Sequence, residues 1–199
     1  YILVAATFLS CLTSEPKDGE ELIELMHSKY KNDWYKTLAF QQVTTFYNTK
    51  EEVEKEQTWF EAMLLPNSLA VKYNEITSGD GVVFRNDSVY TFNKGKIKVA
   101  RKYPHPLLIL GFSVYAQKPK KTINDLKSLK IDFSKIKTKA WQGKVNYIVG
   151  DENATHFYIE KERLLFTKII QKYPNDIIGE TQFNKYQPLE NGWISPEVV

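Results

Sequence analysis

The chain has 199 residues, 42% of them hydrophobic, which is enough to bury the core of a folded domain. Its 27 basic and 24 acidic residues leave a net charge of +3, and this balance argues against a nucleic-acid partner, which would need an excess of clustered basic residues. No internal segment approaches the roughly 18 consecutive apolar residues of a membrane-spanning helix. We therefore expect one globular domain, spanning residues 18–199.

The first residues have the character of a secretory leader. Residues 1–10 form an apolar run that is followed by polar residues, as at the end of a signal peptide, so we assign residues 1–14 to this leader. Cys11 closes the run and is the only cysteine. The sequence Leu9-Ser10-Cys11 is similar to the bacterial lipobox, in which the cysteine is acylated after cleavage. Two interpretations stay open: Cys11 is a lipidation site, or it is removed with an ordinary leader.

Residues 18–31 have the pattern of an amphipathic helix, with Asp18 and Glu21 spaced as in a capping box. The apolar period then changes to two, which is typical of strands. Six such segments follow, joined by short turns, and this arrangement predicts an antiparallel meander. The six predicted strands lie at residues 36–47, 51–65, 69–73, 81–85, 88–92 and 96–101.

An almost continuous apolar segment, residues 104–115, interrupts the alternating pattern. Its run Leu107–Leu110 would place apolar groups on both faces of a strand, so the segment is either a buried central strand or a short helix that is apolar on all sides. We favour the helix, because Pro106 fits the first turn, where the missing N–H costs nothing. Such a helix must be enclosed by curved sheet, and this suggests a pocket for an apolar ligand.

A second short helix is predicted at residues 122–130, followed by further antiparallel strands. These strands lie at residues 135–141, 144–149, 155–160, 164–171, 177–186 and 192–198. The strand 164–171 is apolar on both faces, so we place it centrally or under cover on both sides. The predicted fold class is mainly β (α+β): a strongly curved, half-open antiparallel barrel of about eleven strands, with an N-terminal helix and two short helices forming a lid or plug.

No motif for catalysis or metal binding stands out. The histidines, His27, His105 and His156, are isolated from one another, and the nucleophile elbow, the phosphate-binding glycine loop and the zinc-protease motif are all missing. We expect no enzyme activity, metal or cofactor. Two apolar features remain, the segment 104–115 and the strand around Trp59–Leu65, which has large apolar groups on both faces. Each is either ordinary core or the lining of a cavity.

The order of elements and several short strings resemble the LolA-type family of periplasmic carriers of outer-membrane lipoproteins. The strings are Asn32–Leu38, Thr58–Ala62, Gly81–Asp87, Pro106–Phe112 and Gly192–Val198. The resemblance covers about residues 18–199. It implies a half-barrel whose apolar concave face holds the acyl chains of a lipoprotein or lipid under a helical lid. It also implies a periplasmic location, with an inner-membrane export complex and an outer-membrane acceptor as partners.

The candidate lipid-binding residues are apolar. They are Phe40, Phe46, Phe60 and Leu64 on the sheet, and Leu107, Leu108, Leu110 and Phe112 on the apolar segment. A shift of one residue in register would exchange the sheet residues for those of the opposite face. One position differs from the family pattern: Leu65 precedes Pro66 where the carriers have an arginine that ties the lid shut, so no charged latch is carried over.

Three functional hypotheses follow from these observations. The first is a periplasmic carrier of lipoprotein or lipid that performs no chemistry. The second is an outer-membrane-anchored receptor or interaction lipoprotein that is acylated at Cys11. The third is a hydrolase that acts on a lipid in the cavity.

Overall fold

A computed structural model of the chain describes residues 15–199. The predicted leader and the candidate lipidation site Cys11 lie outside the described residues. The helices are α1 (Gly19–Tyr30), α2 (Pro106–Gly111) and α3 (Pro119–Ser128), with short 3₁₀ helices at Ser113–Tyr115 and Pro174–Asp176. Among residues 15–199, no helix combines the length and the apolarity that crossing a bilayer requires. That residues 18–199 form a single domain stays a prediction.

The first sheet is an antiparallel meander of six strands in the order β1-β2-β3-β4-β5-β6. The strands are β1 (Thr37–Tyr47), β2 (Val53–Leu64), β3 (Ser68–Tyr73), β4 (Gly81–Arg85), β5 (Ser88–Asn93) and β6 (Lys96–Lys102). A two-residue turn joins β4 to β5, where Asn86 and Asp87 have φ of 48° and 59°, as a type I′ hairpin turn requires. The predicted six-stranded meander is confirmed.

The second sheet also has six strands, in the order β14-β11-β10-β9-β8-β7. The strands that follow α3 are β7 (Ile136–Trp141), β8 (Lys144–Val149), β9 (His156–Glu160), β10 (Leu165–Lys172), β11 (Ile178–Asn184), β12 (Gln187–Leu189), β13 (Gly192–Ile194) and β14 (Glu197–Val198). β10 lies between β9 and β11 and is buried over its first five residues, as its sequence predicted. The last predicted strand is divided at Pro196, which cannot donate to a strand ladder.

The two antiparallel sheets are not closed into a barrel, and the helices pack alongside them. The predicted fold class, a mainly-β half-open structure with helices, is therefore confirmed. α1 begins at its predicted cap, because the Asp18 carboxylate accepts a hydrogen bond from the Glu21 N–H at 2.9 Å. Its apolar face is fully buried through Leu22, Ile23 and Met26.

The apolar segment forms the helix α2, as predicted, with Pro106 in its first turn. The residue before it, His105, caps the helix, because the His105 Nδ1 accepts a hydrogen bond from the Leu108 N–H at 3.2 Å. This cap satisfies one of the N–H groups that every helix start leaves without an intrahelical partner. A helix of six residues would be marginal alone, so its stability comes from the sheets that enclose it.

The segment that follows α2 is tied to both sheets. The Ser113 Oγ donates a hydrogen bond to the Pro66 carbonyl at 2.5 Å, next to the end of β2. The Tyr115 hydroxyl accepts from the Phe166 N–H of β10 at 3.1 Å, and the Tyr115 ring stacks on Trp34 at 3.8 Å between centroids. These contacts fix α2 between the inner face of the first sheet and the second sheet.

Candidate functional site

An apolar cavity of about 270 Å³ lies between the first sheet and α2. The first sheet forms its floor, α2 and the residue before it form its roof, and the second sheet closes one side. The lining residues are Phe40, Gln42, Trp59, Glu61, Met63, Leu69, Val71, Tyr73, Val82, Phe84, His105, Leu107, Leu108, Phe112, Phe183 and Val198. Most of these side chains are aliphatic or aromatic, as in a binding site for an apolar ligand.

Strand register arranges the floor of the cavity in three rows. The deepest row is Met63, Leu69 and Phe84; the middle row is Phe40, Glu61, Val71 and Val82; the outer row is Gln42, Trp59 and Tyr73. Burial decreases along this order, since Met63 and Leu69 are buried whereas the outer row is half-buried. The outer row therefore forms the mouth of the cavity.

Four of the eight predicted lipid-binding residues line this cavity. Phe40 lies in the floor, and Leu107, Leu108 and Phe112 lie in the roof. The structure thus brings together residues from β1 and α2 that are far apart in the sequence. Whether these residues bind lipid stays a prediction.

The other four predicted residues lie outside this cavity, so their predicted place in its lining is wrong, while their role in lipid binding stays a prediction. Phe60 and Leu64 are on the opposite face of β2, where Leu64 is 61% exposed. Phe46 shares the face of Phe40 but lies two rows beyond the mouth, where its ring is 6.5 Å from that of Trp59. Leu110 is fully buried in the core, on the side of α2 that faces away from the cavity lining.

The error on β2 has a specific cause. Glu61 lies between Trp59 and Met63 on the inner face of β2. The charge of Glu61 makes this face look exposed to solvent in the sequence, whereas the opposite face, with Phe60 and Leu64, looks apolar. The correct register was available from the next hairpin. Its three-residue connection pairs Leu64 with Ser68 and so places Met63 opposite Leu69 on one face.

Two further lining residues come from the distant second sheet, Phe183 of β11 and Val198 of β14. Phe183 packs edge-on against Phe112, with 6.0 Å between ring centroids. It also lies so close to Gly111 that a side chain there would collide with its ring, at 2.6 Å from an added Cβ. No local sequence signal indicates that these residues meet α2.

Glu61 is the one acidic residue of the lining, and it lies among apolar neighbours. Its cross-strand partners are Phe40 and Val71. No hydrogen bond or ion pair from the described residues reaches its carboxyl group. Removal from water disfavours the charged form, and this burial raises the pKa of Glu61 from 4.5 to about 7.

The other titratable groups of the lining stay neutral near pH 7. Burial lowers the pKa of His105 to about 4, so its ring is neutral and keeps Nδ1 free to cap α2. Burial, followed by the nearby Glu61 carboxyl, raises the pKa of Tyr73 above its ordinary value. Within the cavity lining, Glu61 is therefore the group that changes charge near neutrality.

Comparison with solved structures shows what this architecture resembles. The chain superposes with a TM-score of 0.55 on a domain from Vibrio parahaemolyticus that is assigned as an outer membrane lipoprotein-sorting protein, at 10% sequence identity and over 90% of this chain and 83% of that one. The chain has the fold of that lipoprotein-sorting domain. The predicted resemblance is thus confirmed at the level of the fold.

Two other solved structures match with lower TM-scores. A LolA superfamily protein from Nitrosomonas europaea gives a TM-score of 0.49 at 8% identity, over 84% of this chain and 79% of that one. A DUF1329 family protein from Desulfovibrio piger gives 0.49 at 10% identity, over 89% and 82%. No protein-family model and no curated protein matches the sequence.

Leu65, where the sequence led us to expect no charged latch, has apolar surroundings in the structure. Leu65 is 8% exposed and belongs to the hydrophobic core. At the next residue, the Pro66 carbonyl accepts a neutral hydrogen bond from the Ser113 hydroxyl of the segment after α2.

A polar cavity of about 260 Å³ lies at the second sheet and shares Phe183 with the apolar cavity. Its buried acid, Glu160, forms ion pairs with Lys144 at 3.0 Å and with Arg163. Two cations face one acid here, so the polar cavity has a net positive charge and lacks the apolar surface that an acyl chain needs. The apolar cavity is the better candidate site.

Glu61 makes the stability of the fold depend on pH. Between pH 4.5 and about 7 the folded state holds more protons at Glu61 than the unfolded state, so stability falls as pH rises through this range. We expect Glu61→Gln to remove this cost and to raise the free energy of unfolding above pH 7 by at most about 3 kcal/mol, with little gain near pH 5. Urea unfolding of the wild type and of Glu61→Gln at pH 5 and above pH 7 measures the gain in stability. An equal gain at the two pH values would contradict the raised pKa of Glu61.

Proposed function

We propose that the protein is a periplasmic carrier that holds an acyl chain of a lipoprotein or lipid in the apolar cavity and performs no chemical step. The observation that supports this most directly is the cavity itself, an unfilled space lined by aliphatic and aromatic side chains within the lipoprotein-sorting fold. Handover from an inner-membrane export complex to an outer-membrane acceptor is part of the proposal. Acylation of Cys11 stays a prediction from the sequence.

The physical basis of carriage is the hydrophobic effect. Each methylene group moved from water into an apolar site gains about 0.8 kcal/mol, so a chain of many methylenes binds without any strong polar contact. The lining of the cavity meets this need, since the residues of its deepest row and of its roof are almost all apolar.

The size of the cavity limits what it holds in this conformation. Its volume of about 270 Å³ is slightly below the range of roughly 300–1,000 Å³ that is typical of small-molecule sites. We therefore expect one acyl chain to occupy it. The rest of a lipoprotein or a second chain would remain outside, beyond the mouth formed by Gln42, Trp59 and Tyr73.

The proposal is tested with a neutral fluorescent probe, N-phenyl-1-naphthylamine, and with the lipid that the protein retains on purification. We expect saturable probe fluorescence at one probe per chain, displacement by long-chain alcohols, and co-purified acyl lipid in an organic-solvent extract analysed by mass spectrometry. Trp59 lies at the mouth, so its emission should change on binding.

A protein that neither enhances probe fluorescence nor yields extracted lipid would rule out the carrier function. Heat-unfolded protein serves as the control for probe that adheres to exposed apolar surface. Incubation with ester and phosphoester lipids tests the hydrolase alternative, and no turnover is expected.

A further inference from the structure

The cavity of the proposed carrier contains a carboxyl group, that of Glu61, which forms no stabilising polar contact with the described residues. Glu61 forms no ion pair or hydrogen bond within residues 15–199, unlike Glu160, which is buried between two cations. Glu61 is half-buried among apolar neighbours, and a charge in such surroundings is costly unless it is paired. Its carboxyl group faces the apolar cavity and is therefore available to a ligand.

The position of Glu61 along the strand defines which part of a ligand it meets. It lies in the middle row of the floor, one row from the deepest row and about two residues or roughly 7 Å along β2 from Met63. It also lies one row below Gln42 and Trp59 at the mouth. A chain that fills the deep end would place its first polar atoms, where the chain joins the headgroup, at the level of Glu61.

We propose that Glu61 is a ligand-binding residue, and that the cavity prefers single-chain amphiphiles that carry a hydrogen-bond donor next to the chain over chains that end in a carboxylate. This inference rests on the proposed lipid-carrying function and names the ligand class. The favoured donors are ammonium, hydroxyl and amide N–H groups. Free fatty acids are the disfavoured class.

The selectivity follows from charge and hydrogen bonding. An ionised carboxylate accepts hydrogen bonds and attracts cations, whereas a second carboxylate at the same place is repelled with little screening by water. No lysine or arginine belongs to the lining to offset this repulsion. The lining offers Gln42 and Tyr73 as the neighbouring polar groups, and both are uncharged at neutral pH.

The groups that face Glu61 from the surrounding elements do not titrate in the same range. β1 contributes Phe40 and Gln42, β3 contributes Val71 and Tyr73, and the roof contributes Leu107, Leu108 and the neutral His105. β4, β11 and β14 contribute apolar residues alone, Val82, Phe84, Phe183 and Val198. A pH dependence of ligand choice near neutrality is therefore assigned to Glu61.

The experiment compares three ligands of equal chain length, dodecylamine, dodecanol and dodecanoic acid, as competitors of N-phenyl-1-naphthylamine below their micellar concentrations. At pH 8 we expect the wild-type protein to bind the amine about tenfold more tightly than the acid, with the alcohol between them. In Glu61→Gln the preference should fall to within about twofold, while uptake of the neutral probe is retained. Glu54→Gln, an exposed acid on the same strand, is the matched control and should keep the wild-type preference.

The outcomes separate this inference from the carrier function. Equal binding of amine and acid by the wild type, or an unchanged preference in Glu61→Gln, overturns the role of Glu61 while probe uptake still supports a carrier. No probe uptake by the wild type overturns both. If the variant does not fold, the wild type decides through the amine and the alcohol, whose headgroups do not titrate between pH 5.5 and pH 8. The preference for the amine over the alcohol should shrink over this range as Glu61 becomes protonated, and a constant preference overturns the inference.

Discussion

Val82→Trp is expected to abolish ligand uptake, lowering the affinity for a neutral probe by tenfold or more. Val82 lies in the middle row of the cavity floor, which also contains Glu61, and it pairs with Val71 of β3. An indole at this place would extend into the 270 Å³ that a ligand would occupy. The substitution fills existing space and removes no core contact, so the fold should persist. Titration with N-phenyl-1-naphthylamine measures the loss.

The adjacent residue supplies the matched control. Val83 is also half-buried, but it faces the opposite side of β4, where it lies near Arg85 and Tyr90. Val83→Trp should bind the probe as the wild type does, and circular dichroism should show both variants folded. Equal probe binding by both variants would place the ligand somewhere other than the apolar cavity.

Leu110→Ala is expected to lower the free energy of unfolding by about 2–5 kcal/mol, the usual cost of removing a fully buried leucine side chain. Leu110 is 0% exposed near the end of α2, and this helix packs against β10 as well as against the cavity. The substitution leaves a void in a part of the core that collapses poorly, because Tyr115 and Phe166 hold the neighbouring backbone in place. Urea unfolding at constant pH measures the loss.

Leu64→Ala is the control of identical chemistry on the exposed face of β2, and we expect a change within about 0.5 kcal/mol. A small effect of Leu110→Ala would mean that α2 is a loosely packed lid. A large effect means that α2 is both roof and core, as the burial of its residues indicates. Ligands would then enter past Gln42, Trp59 and Tyr73, because lifting α2 would expose the buried side chains of Leu108, Ile109 and Leu110 at about 1.5–3 kcal/mol each.

The elements themselves were predictable because local chemistry decides them. Asn86-Asp87 takes up the left-handed backbone of a tight hairpin, and such turns impose an antiparallel meander whatever else the chain does. Likewise Pro106 at a helix start, followed by apolar residues with no alternation, indicates a buried helix rather than a strand. These signals involve neighbours in the sequence and need no information about the rest of the fold.

The site was predictable only in part, since it depends on which faces meet. Phe40, Leu107, Leu108 and Phe112 were found because they are apolar in apolar segments. Phe60 and Leu64 were wrongly placed in the cavity, because a strand with large apolar groups on both faces does not reveal its inner face and Glu61 made the true one look polar.

What the sequence determined by itself was thus the succession of strands and helices, through turn residues, caps and apolar period. Tertiary structure alone decided that Phe183 and Val198, far along the chain, close the cavity against α2, and that an acid faces its interior. The physical reason is that apolar alternation in a strand shows which residues share a face of the sheet. It does not show which distant element packs against that face, because this depends on tertiary packing.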